Sequence, residues 1–210
     1  TWSNSLNVAQ MLDKSSYSIS LGNTHQDGII SSTGMDRYNV KVSADTKLTN
    51  NWSSGFTANY ITTSIDKAVT SGNGLLRTVY AAPPSYDLAG IPSHVDGNLY
   101  AQNSFRGSFD NAYWAMENNK FTEDTNRFFG NVYASYQTDF GTTNHKLNAK
   151  YMVGVDAYTT HYVDSYGYGS NTGGGRGQIE NYGWTNATYN SLLTINYDWH
   201  INEDWGLNAV

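Results

Sequence analysis

Tyr38-Asn39-Val40-Lys41-Val42-Ser43-Ala44-Asp45-Thr46-Lys47-Leu48 changes character at every step. Its even positions hold Tyr38, Val40, Val42, Ala44, Thr46 and Leu48, and its odd positions hold Asn39, Lys41, Ser43, Asp45 and Lys47. Successive side chains of a strand leave on opposite faces, so a period of two sorts these residues into one apolar face and one wet face. The segment therefore predicts a β-strand that is half in contact with something apolar.

Seven further segments repeat the pattern. Upstream, Trp2, Leu6, Val8 and Leu12 oppose Ser3, Ser5 and Asn7, and Tyr17, Ile19 and Leu21 oppose Ser16, Ser18 and Ser20. Downstream, Trp52, Phe56, Ala58 and Tyr60 share a face, as do Phe128, Val132, Ala134 and Tyr136, with Phe129 and Tyr133 as exceptions on the polar side. Leu147 to Val155 and Tyr189 to Trp199 give two more, and Trp205, Leu207 and Ala209 begin another. The connections alternate too. Those at Asp13–Ser15, Thr49–Asn51, Phe140–Asn144 and Asn202–Asp204 are short, and those at Asp27–Gly34, Asp66–Thr122 and His161–Gly183 are long. Short turns at one end and long loops at the other are the pattern of an up-and-down antiparallel barrel of the bacterial outer membrane, with periplasmic turns and extracellular loops. The expected fold is all-β, with about eight antiparallel strands.

Alternation does not say which face points inward, so a soluble lipocalin-like barrel with an apolar interior is the competing architecture. Aromatic placement favours lipid outside. Tyr17, Trp52, Phe140, Trp199 and Trp205 lie by the short turns, and Tyr38, Tyr60, Phe128 and Tyr189 lie toward the other end, like the two interfacial girdles of membrane barrels. On this reading Lys41, Asp45, Lys47, Lys150 and Asp156 face the lumen.

Composition agrees. Only 14% of the 210 residues are charged, against roughly 25% in soluble domains. No apolar run approaches the roughly 20 residues of a spanning helix. With no cysteine there is no disulfide or thiolate metal site, and a net charge of -6 without a basic run argues against nucleic acid. Leader and plug-like stretches are not seen in the sequence. The five histidines are isolated, no Gly-x-Ser-x-Gly elbow occurs, and no acid, base and nucleophile cluster emerges, so neither an enzyme nor a cofactor or metal site is expected. Asp96-Gly97-Asn98 and Glu123-Asp124 lack the spacing of a calcium loop and read as solvated acidic residues. Tyr166 to Gly177 is glycine-rich without the Lys-Ser/Thr ending of a phosphate loop, and reads as a flexible tip.

The connection from Asp66 to Thr122 is too long to be passive, because loops beyond about 15 residues are usually functional. Gly74 to Ala82 predicts two helical turns stopped by Pro83-Pro84, and Asn111 to Asn118 a second short helix. Tyr80, Tyr86, Tyr113 and Trp114 are the candidates for ligand or lid contact. The alternative is that such aromatics pack the loop onto the barrel mouth.

Several segments resemble a known family. His25-Gln26-Asp27-Gly28-Ile29-Ile30 followed by Gly34-Met35-Asp36-Arg37-Tyr38-Asn39-Val40, the Leu75-Leu76-Arg77 to Pro83-Pro84 helix and stop, and Asn111-Ala112-Tyr113-Trp114 with Asn118-Asn119-Lys120-Phe121 and Arg127-Phe128-Phe129-Gly130-Asn131 resemble SusC/RagA-type TonB-linked outer-membrane transporters. The resemblance implies a barrel of roughly 22 strands with an N-terminal plug. It further implies energy from the inner membrane through TonB, and a SusD-like surface lipoprotein that delivers oligosaccharides or peptides. Within that frame residues 1–210 are expected to be an internal barrel segment. The alternative is a small, complete eight-stranded outer-membrane anchor or adhesin whose long loops bind an external partner.

Overall fold

The computed structural model describes residues 1–69, 74–141 and 144–210. Residues 70–73 of the long connection and Thr142 and Thr143 of the Phe140–Asn144 turn therefore lie outside the described residues. Eight strands make one sheet: β1 (Trp2–Met11), β2 (Ser15–Asp27), β3 (Gly34–Lys47), β4 (Trp52–Lys67), β7 (Lys120–Thr138), β8 (His145–Tyr166), β9 (Gln178–His200) and β10 (Gly206–Ala209). Each pairs antiparallel with its neighbours in chain order, giving an up-and-down meander. Among the described residues β1 and β10 do not pair with each other, so the sheet is an open arc with two edges.

Alternation survives intact in the register. Val40 pairs with Leu21 on one side and Tyr60 on the other, while Lys41 pairs with Ser20 and Asn59. An apolar row and a polar row thus alternate along the strands, as the period of two requires.

The strands overshoot the patterned segments at the long-loop end. β7 starts at Lys120, eight residues before Phe128, while β8 runs on to Tyr166 and β9 begins at Gln178. In this overshoot the hydrogen-bonded ladder continues but both faces carry polar groups, so the hydrophobic pattern that marks a strand in sequence fades. The connections expected at Asp27–Gly34, Asp66–Thr122 and His161–Gly183 shrink accordingly to residues 28–33, 68–119 and 167–177.

The longest connection carries α1 (Leu75–Ala81), a small hairpin of β5 (His94–Val95) and β6 (Asn98–Gln102), and α2 (Ala112–Asn118). Helix α1 stops before Pro83-Pro84, with the Ala82 amide donating to the Thr78 carbonyl. Helix α2 begins on Asn111, whose side-chain oxygen accepts from the Tyr113 and Trp114 amides at 2.9 and 3.2 Å and so satisfies two otherwise free donors. A single sheet has no second layer, so its strands enclose little. The fully buried side chains Trp114, Asn111, Thr78, Asp110 and Ser170 belong to the two long connections, which fold together as a cap.

Candidate functional site

The sheet's two faces differ in chemistry. Leu6, Leu21, Val40, Tyr60 and Phe128 form a continuous apolar row across five strands, and all five are exposed. Parallel rows add Val8 and Ile19, then Tyr17, Phe56, Val132 and Val153. An uncovered apolar surface spanning a whole sheet far exceeds the few hundred Å² that soluble monomers leave bare.

Two aromatic belts bound this surface, and both descend across the sheet. Tyr38 on β3 lies in the hydrogen-bonded row of Thr62, Asn126, Thr159 and Thr185; Tyr60 and Phe128, paired with each other, lie one row nearer the short turns, and Tyr189 one row lower again. At the other end Tyr17 shares the row of Phe56, Val132, Val153 and Ser191; Trp52 and Tyr136 pair two rows lower, and Trp199 lies two rows below them. With about 3.4 Å per residue and about 4.8 Å between strands, the lower belt falls about 27 Å over five strand spacings and the upper about 14 Å over four. The strands therefore cross the apolar band at about 35–50°, bracketing the roughly 35–45° tilt of outer-membrane barrels. Along β9 the belts are ten residues apart, from Tyr189 to Trp199, which at that tilt is a band about 25 Å tall. Phe140 and Trp205 are also exposed, by the turns beyond the lower belt.

The opposite face is polar and internally bonded. Lys41, Asp45, Lys47, Lys150 and Asp156 all lie on it by strand parity. Tyr133 donates its hydroxyl to Asp45 at 2.6 Å, and the Lys150 ammonium stands 4.1 Å from the Tyr133 ring centre. Arg127 grips Asp156 with two hydrogen bonds, 2.8 and 2.5 Å long. The two aromatic exceptions of the sequence pattern thus have local causes: Tyr133 bridges Lys150 and Asp45, and Phe129 carries the Arg127 guanidinium 5.1 Å from its centre. Hydroxyl and amide pairs such as Ser18–Ser43 at 2.7 Å and Asn7–Ser20 at 2.9 Å fill the spaces between.

Above the upper belt this face carries an aromatic group that the alternation concealed. Tyr162 stacks on Tyr182 with ring centres 5.0 Å apart and 8° between planes, and Trp184 leans on Tyr162 at 5.2 Å. Lys67 sits 4.3 Å from the Tyr162 ring centre and 3.1 Å from Glu123, and Tyr182 donates to Asp164 at 3.1 Å. Desolvation pushes both phenols up from their ordinary range, with the Glu123 and Asp164 carboxylates adding to it at Tyr162 and the Asp164 carboxylate at Tyr182. Both rings therefore stay neutral hydrogen-bonding groups at neutral pH.

In the cap, the four aromatic candidates separate. Tyr80 is 84% exposed on α1 and Tyr113 is exposed on α2, so both are available for contact. Tyr86 is tied down, its hydroxyl donating to the Asn103 carbonyl at 3.3 Å and its ring against Phe105. Trp114 is 0% exposed and makes no surface at all; it packs the cap from within, donating its indole N–H to the Leu99 carbonyl at 3.4 Å. Exposed Tyr100 and Tyr168, edge to face at 5.4 Å, complete the outer aromatic surface, beside exposed Leu99.

The glycine-rich stretch folds back on itself in a hydrogen-bonded turn. Gly173, Gly174, Gly175 and Gly177 take φ between 66° and 81°, a left-handed run that side chains disfavour. Backbone bonds Gly169 to Gly175 and Gly175 to Ser170, each 2.9 Å, close the turn. Glu123 and Asp124 leave β7 on opposite faces, and Glu123 is paired with Lys67, so the two do not converge on one ion.

No family model matches the sequence, and no curated protein matches it.

Proposed function

We propose that residues 1–210 are a wall segment of an outer-membrane barrel, its apolar face against lipid and its polar face lining a passage. The observation that carries this reading is the pair of aromatic belts descending together across an exposed apolar face. Belts at headgroup level stay parallel to the membrane, so on tilted strands they must drift through the hydrogen-bonded rows. A soluble barrel with an apolar interior has no reason to place aromatic rings in two such lines. The open arc favours a segment of a wider barrel over a closed eight-stranded anchor, whose lumen side chains would fill.

Together with the loop resemblance, the reading extends to a TonB-linked transporter of the SusC/RagA type that admits oligosaccharides or peptides. The exposed cap aromatics Tyr80, Tyr113, Tyr100 and Tyr168 then face a SusD-like surface lipoprotein or the ligand it delivers. Gated passage, not bond chemistry, is the activity.

Depth-dependent fluorescence quenching tests the lipid assignment. In vesicles containing brominated lipids, variants that keep only Trp52 or Trp199 should be quenched, most strongly by bromines near the headgroups, whereas a variant that keeps only Trp114 should not be. Quenching of the belt tryptophans by aqueous iodide instead would overturn the reading. The transporter assignment is tested separately, by co-purification of a surface lipoprotein with the parent protein and loss of that capture on Tyr80→Ala with Tyr113→Ala.

A further inference from the structure

Two long connections belonging to different hairpins, residues 68–119 and 167–177, meet at one carboxylate. Asp110 is 1% exposed. Its Oδ2 accepts from the Ser170 hydroxyl at 2.6 Å, and its Oδ1 accepts from the Asn171 amide at 2.7 Å and from Gln102 Nε2 at 2.8 Å. Its backbone carbonyl accepts from the Thr78 hydroxyl of α1 at 2.9 Å. One residue therefore joins α1, the β5–β6 hairpin and the glycine-rich turn, and among the described residues its donors are neutral.

The surroundings multiply the joint. Gln102 turns its other atom to the Asn111 amide at 2.6 Å and also donates to the Gly169 carbonyl at 2.9 Å, and Asn171 donates to the Phe109 carbonyl at 2.9 Å. Gly169 adopts φ +101°, and a Cβ there would stand 1.8 Å from the Tyr100 carbonyl oxygen and 3.2 Å from the Trp114 ring. The two connections are in backbone-to-backbone approach at this point. A buried carboxylate that loses its donors is costly, so these bonds form or break together.

The contact between the cap and residues 28–33 is looser. Among the described residues its hydrogen bonds are Ser31 on the Met116 sulfur at 3.7 Å and Ser32 on the Met116 carbonyl at 3.5 Å, both exposed, beside a cavity of about 20 Å³ lined by Ile30, Lys67, Val69, Leu75, Ala115 and Met116.

We infer that the two long loops are a single lid that opens as one body, with Asp110 as the clasp between them. The loops do not part from each other; the lid parts from the connection between β2 and β3. This rests on the reading that the polar face lines a passage, and it does not depend on which substrate passes beneath.

Amide hydrogen exchange on the folded protein in detergent reads the coupling directly. In the unmodified chain the amides of Ala115 and Asn119 in α2 and those of Gly169 and Gly175 in the turn should exchange within about threefold of one another. Asp110→Asn keeps the shape but turns an N–H₂ toward other donors, and should speed all four amides at least tenfold together. Ser170→Ala removes one of three donors from a fold that otherwise stands, and should speed both groups by a common smaller factor. If Asp110→Asn or Ser170→Ala speeds only the loop that carries the substitution, or if the unmodified loops exchange at rates more than tenfold apart, the single lid is wrong.

Discussion

Trp114 shows what a single residue decides here. Its indole fills the centre of the cap between the β5–β6 hairpin and Gly169, and nothing of it reaches solvent. Replacing it with Ala removes the largest enclosed side chain of the cap and should cost about 3–5 kcal/mol of cap stability, read as earlier proteolysis within residues 74–119. Gly169→Ala attacks the same joint from the other strand pair, because a Cβ cannot share space with the Tyr100 carbonyl. It should loosen the cap as Trp114→Ala does while leaving the strand amides of β2 and β3 protected. Nothing in Asn111-Ala112-Tyr113-Trp114 told Trp114 from its exposed neighbour Tyr113. What buries the one and not the other is the turn at Ser170, far along the chain, and local sequence carries no record of that approach.

At the scale of the strand, adjacent residues have opposite duties. Val132 on β7 lies mid-band on the apolar face, between Phe56 and Val153, and Asn131 beside it faces the polar side. Val132→Lys should therefore lower the yield of folding into vesicles by the equivalent of about 2–4 kcal/mol, whereas Asn131→Lys should be nearly neutral. Equal effects at both positions would contradict the assignment of faces. This much was legible beforehand, since register follows from alternation once one face is apolar, and Lys41, Asp45, Lys47, Lys150 and Asp156 share one face by that parity. Strand ends were not legible. Thr122, Asn126 and Thr159 carry no apolar signal, yet they sit in the same ladder as Thr62 and Thr185. Backbone pairing continues where hydrophobic sorting has stopped, so the pattern marks the apolar band and not the strand. Tyr162, Tyr182 and Trp184 went unnoticed for the same reason.

For the whole molecule, the belts make a quantitative claim about orientation. Polarised infrared measurement on aligned bilayers should give a strand tilt of about 35–50° from the membrane normal, the range set by the drift of the two belts. A tilt below about 20° would mean the belts do not mark a common plane.

The overshoot of β7, β8 and β9 has one more consequence. From Tyr189 up to Gln178 is eleven residues of paired strand, which at the same tilt raises the glycine-rich turn about 25–30 Å above the upper belt. In the proposed orientation the three strands act as a pier that holds this turn out in water, beyond the reach of lipid headgroups. The cap supplies its own interior through Trp114, Asn111, Thr78, Asp110 and Ser170, and in the proposed orientation it is the end that faces away from the membrane.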